Sequence, residues 1–164
     1  MLGLAALTAG CGYHIAGRAD LLPKTLKTIA VPAFANATTR YKLTERLPAA
    51  ITREFLRRTR YQVVSEIDQA DAYLQGSIIN YFAYPTVIDP ITNRNTAVQM
   101  TVILDIKLTE RATGTLLYHK PIEVRQRYEI SVDQVAYFEE SNVALERLAQ
   151  DVARTVVSAI LENF

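Results

Sequence analysis

The sequence has no tryptophan, a single cysteine, 6 glycines and 6 prolines in 164 residues. One cysteine excludes an intramolecular disulfide and any cysteine-rich zinc or iron-sulfur centre. The two histidines, His14 and His119, stand far apart with no motif-spaced partner, so the three or four ligands of a metal site are missing. Charge of one sign is missing as well. Lysine and arginine total 18 against 17 acidic residues, a formal net charge of +1. A nucleic-acid binder carries a basic excess, so no nucleic-acid partner is expected, and a charged ligand would have to be met locally. There is no glycine-rich phosphate loop, no Gly-x-Ser-x-Gly elbow and no His-Glu-x-x-His. Glu139-Glu140 precedes an expected helix, where it acts first on the helix dipole. No enzyme, metal or soluble cofactor is expected.

What is present suits one globular unit of mixed secondary structure, with 49% apolar and 21% charged residues. A chain of this length buries roughly two thirds of its unfolded surface and needs no staples. Met1 to Gly10 is apolar or small throughout and ends at Cys11. It is far short of the ~20 residues that cross a bilayer as a helix, but matches the apolar region of a signal peptide. Leu7-Thr8-Ala9-Gly10-Cys11 resembles the bacterial lipobox. That resemblance implies a covalent diacylglycerol and an N-acyl lipid on Cys11, each buried methylene contributing about 0.8 kcal/mol of anchoring. Gly12 in place of Asp after the Cys implies export to the outer membrane. The alternative is a buried free Cys11 in an N-terminal strand.

Residues 11–26 read as a lipidated tether behind a truncated signal peptide at 1–10, and residues 27–164 as a single domain. Lys27 to Val31 is a short β-branched strand closed by Pro32. From Lys42 to Arg60, Leu43, Leu47, Ile51 and Phe55 recur at helical spacing, with Pro48 placing the well-formed start near Ala49. Tyr61 to Ser65 is a strand and Asp68 to Asp71 a turn. Three alternating segments follow at 72–84, 95–109 and 116–128, the last two linked by a tight turn at Gly114. Leu74, Ile78 and Phe82 share the expected core face. Ser141 is the expected N-cap of a second amphipathic helix running to Asn163.

The fold class is therefore α/β, as an α+β sandwich: two amphipathic helices packed on one face of a single mixed, mostly antiparallel sheet, the other face uncovered. On that open face the alternation places Tyr73, Ile79, Tyr81, Ile103, Arg125 and Arg127, beside Glu123 and Glu129. Tyr and Arg dominate interface hot spots, so this face is a candidate partner surface.

Three features together resemble one family: Cys11-Gly12-Tyr13-His14-Ile15-Ala16-Gly17, Leu26-Lys27-Thr28-Ile29-Ala30-Val31-Pro32-Ala33-Phe34-Ala35-Asn36, and the sheet-and-helix plan behind them. They look like the LPS-assembly lipoproteins, the LptE family. The resemblance implies a lipid-anchored protein on the periplasmic side of the outer membrane, seated as a plug in the LPS-assembly β-barrel LptD, the translocon that delivers LPS to the cell surface. It also implies LPS contact through a basic residue on the hairpin after the first long strand, here Arg94. The competing class is a regulator of a cell-wall synthase or a secretion-pore subunit. A synthase activator needs a long Pro-, Gln- and Ser-rich tether, whereas only about 15 residues separate Cys11 from the first strand.

Overall fold

The computed structural model describes residue 23, residues 26–129 and a helix at 134–162, the side chains of that helix from residue 141 onward. The signal peptide, Cys11, His14 and nearly all of the tether lie outside the described residues, as do the side chains of Glu139 and Glu140.

In chain order the elements are β1 (Thr28–Ala30), β2 (Ala35–Asn36), α1 (Lys42–Arg58), β3 (Gln62–Val64), a 3-10 turn (Ile67–Gln69), β4 (Ala72–Ile88), β5 (Asn95–Glu110), β6 (Leu116–Glu129) and α2 (Gln134–Glu162). The sheet runs β3-β1-β4-β5-β6, with β2 also paired to β4. β1 is parallel to β3 and β4, and β2 is parallel to β4, while β4, β5 and β6 form an antiparallel meander. Both helices pack on one face, against each other and against the sheet, in an α+β arrangement.

α1 forms because Leu43, Leu47, Ile51 and Phe55 align on one stripe, each with no exposed surface. It begins at Lys42 and continues through Pro48, which corrects the expected start near Ala49. A proline inside a helix costs about 3 kcal/mol, but three fully buried side chains around it contribute more. Thr59 is extended, and its N–H and Oγ1 both donate to the Phe55 carbonyl, at 2.9 and 2.7 Å, closing the helix. Glu54 is held by the Arg57 fork (Nε 3.0 Å, Nη2 2.7 Å), and Arg58 reaches across to Ser158 Oγ of α2 at 2.5 Å. α2 begins at Gln134, a further correction: Ser141 lies inside the helix. The segment from Gln134 to Glu140 contains no Gly or Pro, so nothing there stops helix propagation.

The stretch from Val31 to Asn36 has a structural reason for its residue types. β1 and β2 both pair with β4, at Ile29↔Ala72 and Ala35↔Ser77, and the chain between them buries Phe34 to 2% exposure. A Cβ on Gly76 would stand 2.3 Å from the Phe34 ring, so the ring occupies space that only glycine leaves. Asn36 then ties the turn into α1. Its Oδ1 accepts from the Thr38 N–H and hydroxyl, and its Nδ2 donates to the Arg40 carbonyl and Thr44 Oγ1. The Asn-Ala-Thr triplet there is a turn motif of the fold. Asp71 joins β1 to β4: its Oδ2 accepts from the N–H groups of Lys27 and Thr28 at 2.8 and 2.9 Å, which hold its carboxyl below the ordinary value.

β4 is longer than its alternation implies, reaching Ile88 through Pro85. Proline is tolerated there because this part of β4 pairs with β5 alone and needs no donor on its outer side. β6, at the sheet edge, accepts Pro121 for the same reason. The β5–β6 turn behaves as expected, with Gly114 at φ 69°.

Candidate functional site

The open face of the sheet is built by the antiparallel register, and one irregularity in β4 decides its composition. Ile78 pairs with Leu104 and Asn80 with the adjacent Ile103, so β4 carries an extra residue there. The Tyr81 N–H is taken by Asn80 Oδ1 at 2.8 Å, a local acceptor that supports the bulge. Beyond it the strand phase is reversed. Tyr81 pairs with the fully buried Val102 and packs on the helix side, whereas Phe82 pairs with Thr101 and is 45% exposed. The expected phase is thus corrected at two positions: Tyr81 leaves the open face, and Phe82 leaves the core for the open face.

The other candidates keep their places. Tyr73, Ile79, Ile103, Arg125 and Arg127 lie on the open face, in rows Asn80–Ile103–Glu123, Phe82–Thr101–Arg125 and Tyr84–Gln99–Arg127. Arg125 donates to Glu123 Oε1 from Nε at 2.7 Å, and Gln99 Nε2 donates to the Tyr84 hydroxyl at 2.8 Å. Further along, Asp105 meets His119 Nε2 at 2.8 Å and Lys107 Nζ at 3.4 Å. Burial opposes its ionisation, but His119 and Lys107 together hold the carboxyl below the ordinary range. The alternation misses Phe82 and Tyr84, which with Ile79, and with Val87 beyond a second register shift, make an exposed apolar stripe along the distal half of β4. Its signal in the sequence is the adjacent pair Ile78-Ile79, which breaks period two.

The stripe ends at the β4–β5 loop, where Ile91 is 92% exposed. Asp89 organises this loop. Its Oδ1 accepts from the N–H groups of Ile91 and Thr92 at 2.7 and 2.9 Å, which lower its pKa, and Asn93 takes a positive φ of 53°. Arg94 follows, exposed, its carbonyl accepting from the Asp89 N–H at 2.8 Å. Its guanidinium makes no hydrogen bond or ion pair among the described residues. Arg94 thus stands on the β4–β5 loop at the end of the hairpin, and the open-face residues on the strands behind it, not in one compact pocket. Among the described residues no group of three or more His, Cys, Asp or Glu could hold a metal. No helix of the described residues is long and apolar enough to cross a membrane.

The described residues thus form an α+β domain with two helices on one sheet face and an opposite face that carries exposed apolar residues beside Arg125, Arg127, Glu123 and Glu129. The chain belongs to the lipopolysaccharide-assembly family LptE, whose model matches residues 26–160. That family is one of non-enzymatic lipoproteins associated with the outer membrane. Solved structures share the fold. The rare lipoprotein B from Shewanella oneidensis is similar at 12% identity and TM-score 0.57, covering 83% of this chain and 95% of its own. Lipoprotein B from Nitrosomonas europaea is similar at 14% and 0.54, covering 84% and 88%. A point variant of the PelC dodecamer from Paraburkholderia phytofirmans is similar at 16% and 0.53, covering 85% and 90%. A search of curated proteins found no match.

Proposed function

We propose that this chain is an outer-membrane lipoprotein of the LPS transport machinery, anchored on the periplasmic side by diacylglycerol and N-acyl groups on Cys11. In this reading its domain, residues 27–164, plugs and supports the LPS-assembly barrel LptD, with LPS as the second partner. The observation that carries the reading is the apolar stripe on the uncovered sheet face, flanked by Arg125 and Arg127. A β-barrel interior offers polar and charged groups to the cations, and aromatic residues such as Phe82 and Tyr84 supply contact area at low entropic cost. Arg94, with its guanidinium uncommitted, suits bidentate contact with a lipid A phosphate. The alternative is a cell-wall synthase regulator or a secretion-pore subunit.

Affinity capture from solubilised outer membrane tests the partnership. The wild-type chain should co-purify with a large β-barrel protein, and Phe82→Asp with Ile103→Asp should reduce the yield severalfold. Ile103 is half-buried and stands opposite Glu123, so the melt should fall somewhat; capture is therefore compared at a temperature where both chains remain folded, with Phe82→Ser alone as the milder variant. Full barrel recovery with the double variant refutes this face as the contact.

A further inference from the structure

A cavity of about 550 Å³ opens on the helix side of the sheet, where the entry to α1, the start of the described α2 side chains and the distal strands meet. Sites that take small molecules fall in the range of about 300 to 1,000 Å³. Its floor is made by Tyr81 and Ala83 of β4, Val98 of β5 and Tyr128 of β6, and Leu145 of α2 closes one side. The bulge creates this floor, because without it the even-numbered residues of β4 would face inward and Tyr81 would point away.

The mouth is cationic. Arg40 and Lys42 line it, and no carboxylate occurs among the described lining residues. The Arg40 guanidinium lies 5.2 Å from the centroid of the Tyr81 ring, and Lys42 Nζ donates to Asn142 Oδ1 at 3.0 Å, so both cations are held in place. Neither forms an ion pair among the described residues, and both stand at the N-terminal, positive end of α1. Cations there oppose the helix dipole; Glu45 in the first turn offsets the dipole itself but forms no ion pair with Arg40 or Lys42 among the described residues, which leaves an anion for the mouth to take.

An apolar floor beneath a cationic mouth selects for a ligand with both chemistries. A neutral apolar molecule would leave Arg40 and Lys42 without an anion. Free phosphate would leave the floor facing water. We propose that this cavity takes one acyl chain of a phosphorylated lipid, the chain lying over Tyr81, Ala83 and Val98 and the phosphate meeting Arg40 and Lys42 at the mouth. The proposal rests on the lipid-handling role given above and adds to it a site on the opposite sheet face from the barrel-contact stripe.

The test uses the full chain carrying Cys11→Ser, so that no acyl group of its own competes, purified without detergent. Decyl phosphate, decyl maltoside and inorganic phosphate are titrated calorimetrically, the two amphiphiles below their micellar concentrations. Decyl phosphate should bind at least tenfold more tightly than decyl maltoside, and inorganic phosphate at the same concentration should not displace it. Ala83→Trp, which fills the floor from an already exposed position, should weaken decyl phosphate at least tenfold. Arg40→Gln with Lys42→Gln should bring decyl phosphate down to the affinity of the maltoside. Equal affinity for the two amphiphiles, displacement by inorganic phosphate, or unchanged binding by Ala83→Trp would each overturn the site. Barrel capture by the lipidated Ala83→Trp chain should match wild type. A failure of barrel capture by wild type therefore counts against the LptD partnership alone, and a failure of decyl phosphate binding against this cavity alone.

Discussion

Replacing Gly76 by alanine adds one methyl group at the most confined point of the fold. That methyl would lie 2.3 to 2.4 Å from three atoms of the Phe34 ring, well inside van der Waals contact. The ring cannot retreat into solvent without exposing a side chain now 2% accessible. Two effects compete. Alanine restricts the unfolded chain more than glycine does, which favours folding by about 0.4 to 1 kcal/mol. Forcing extra volume into a packed core costs about 1 to 3 kcal/mol, and here backbone and ring face each other with no flexible tip to give way. The clash wins, so Gly76→Ala should destabilise by about 1 to 2 kcal/mol. Phe34→Ala should cost about 3 to 5 kcal/mol through the cavity it leaves. In the Phe34→Ala background the added methyl partly fills that cavity, and Gly76→Ala should become neutral or mildly stabilising. Urea unfolding of the four proteins measures the cycle, with the midpoint moving and the slope held. Additive effects, or a Gly76→Ala chain as stable as wild type, would refute the contact.

Three further outcomes are expected. The depressed pKa of Asp71 means the unfolded state binds its proton first, so its contribution to stability is complete above about pH 4, the unfolded value, and is lost as pH falls through the lower folded value. Asp71→Asn should accordingly flatten the acid limb of the stability profile, and an unchanged limb would exclude the carboxylate as its source. Cys11→Ser should leave the protein unprocessed and shift it out of the outer-membrane fraction, whereas an unaltered mature mass and distribution would remove lipidation at that residue. Arg94→Asp should weaken LPS capture, with Arg94→Lys intermediate because it keeps charge but loses the planar fork, and raised salt should weaken wild type in the same direction. Equal capture by all three proteins at two ionic strengths would take Arg94 out of LPS contact.

The elements were legible where periodicity is carried by side chains with one possible role. Leu43, Leu47, Ile51 and Phe55 admit only an amphipathic helix, and the alternation from Val98 to Leu108 admits only a half-buried strand; both are buried as that logic requires, Val98 partly. What was not legible depends on tertiary context. Pro48 reads as a breaker until the buried residues around it are known to outweigh its cost, and Pro85 reads as a strand end until its part of β4 is known to lack an outer neighbour. The family-like run from Ile29 to Asn36 showed no chemistry, because its reason lies in Gly76, far along the chain, and in the turn that Asn36 ties.

The candidate surface shows the same limit most sharply. Period-two reasoning fixes every face from a single phase, so one inserted residue inverts all that follows. Ile78-Ile79 announces a break without saying which isoleucine leaves the ladder; the pairing of Asn80 with Ile103, and the bond from its side chain to the Tyr81 N–H, settle that. The inversion has a functional consequence on both sides of the sheet. It turns Phe82 and Tyr84 outward, lengthening the apolar stripe toward Ile91, and it turns Tyr81 inward beneath Arg40. A single bulge therefore composes both the open face and the cavity behind it. Deleting Ile79 would make the ladder regular while keeping Asn80 opposite Ile103, Tyr81 opposite Val102 and Phe82 opposite Thr101. Tyr81 then stays inward and Phe82 stays outward, so barrel capture and alkyl phosphate binding should both be retained. Loss of either on deletion, in a chain that still folds, would show that Ile79 does more than set the phase of the strand.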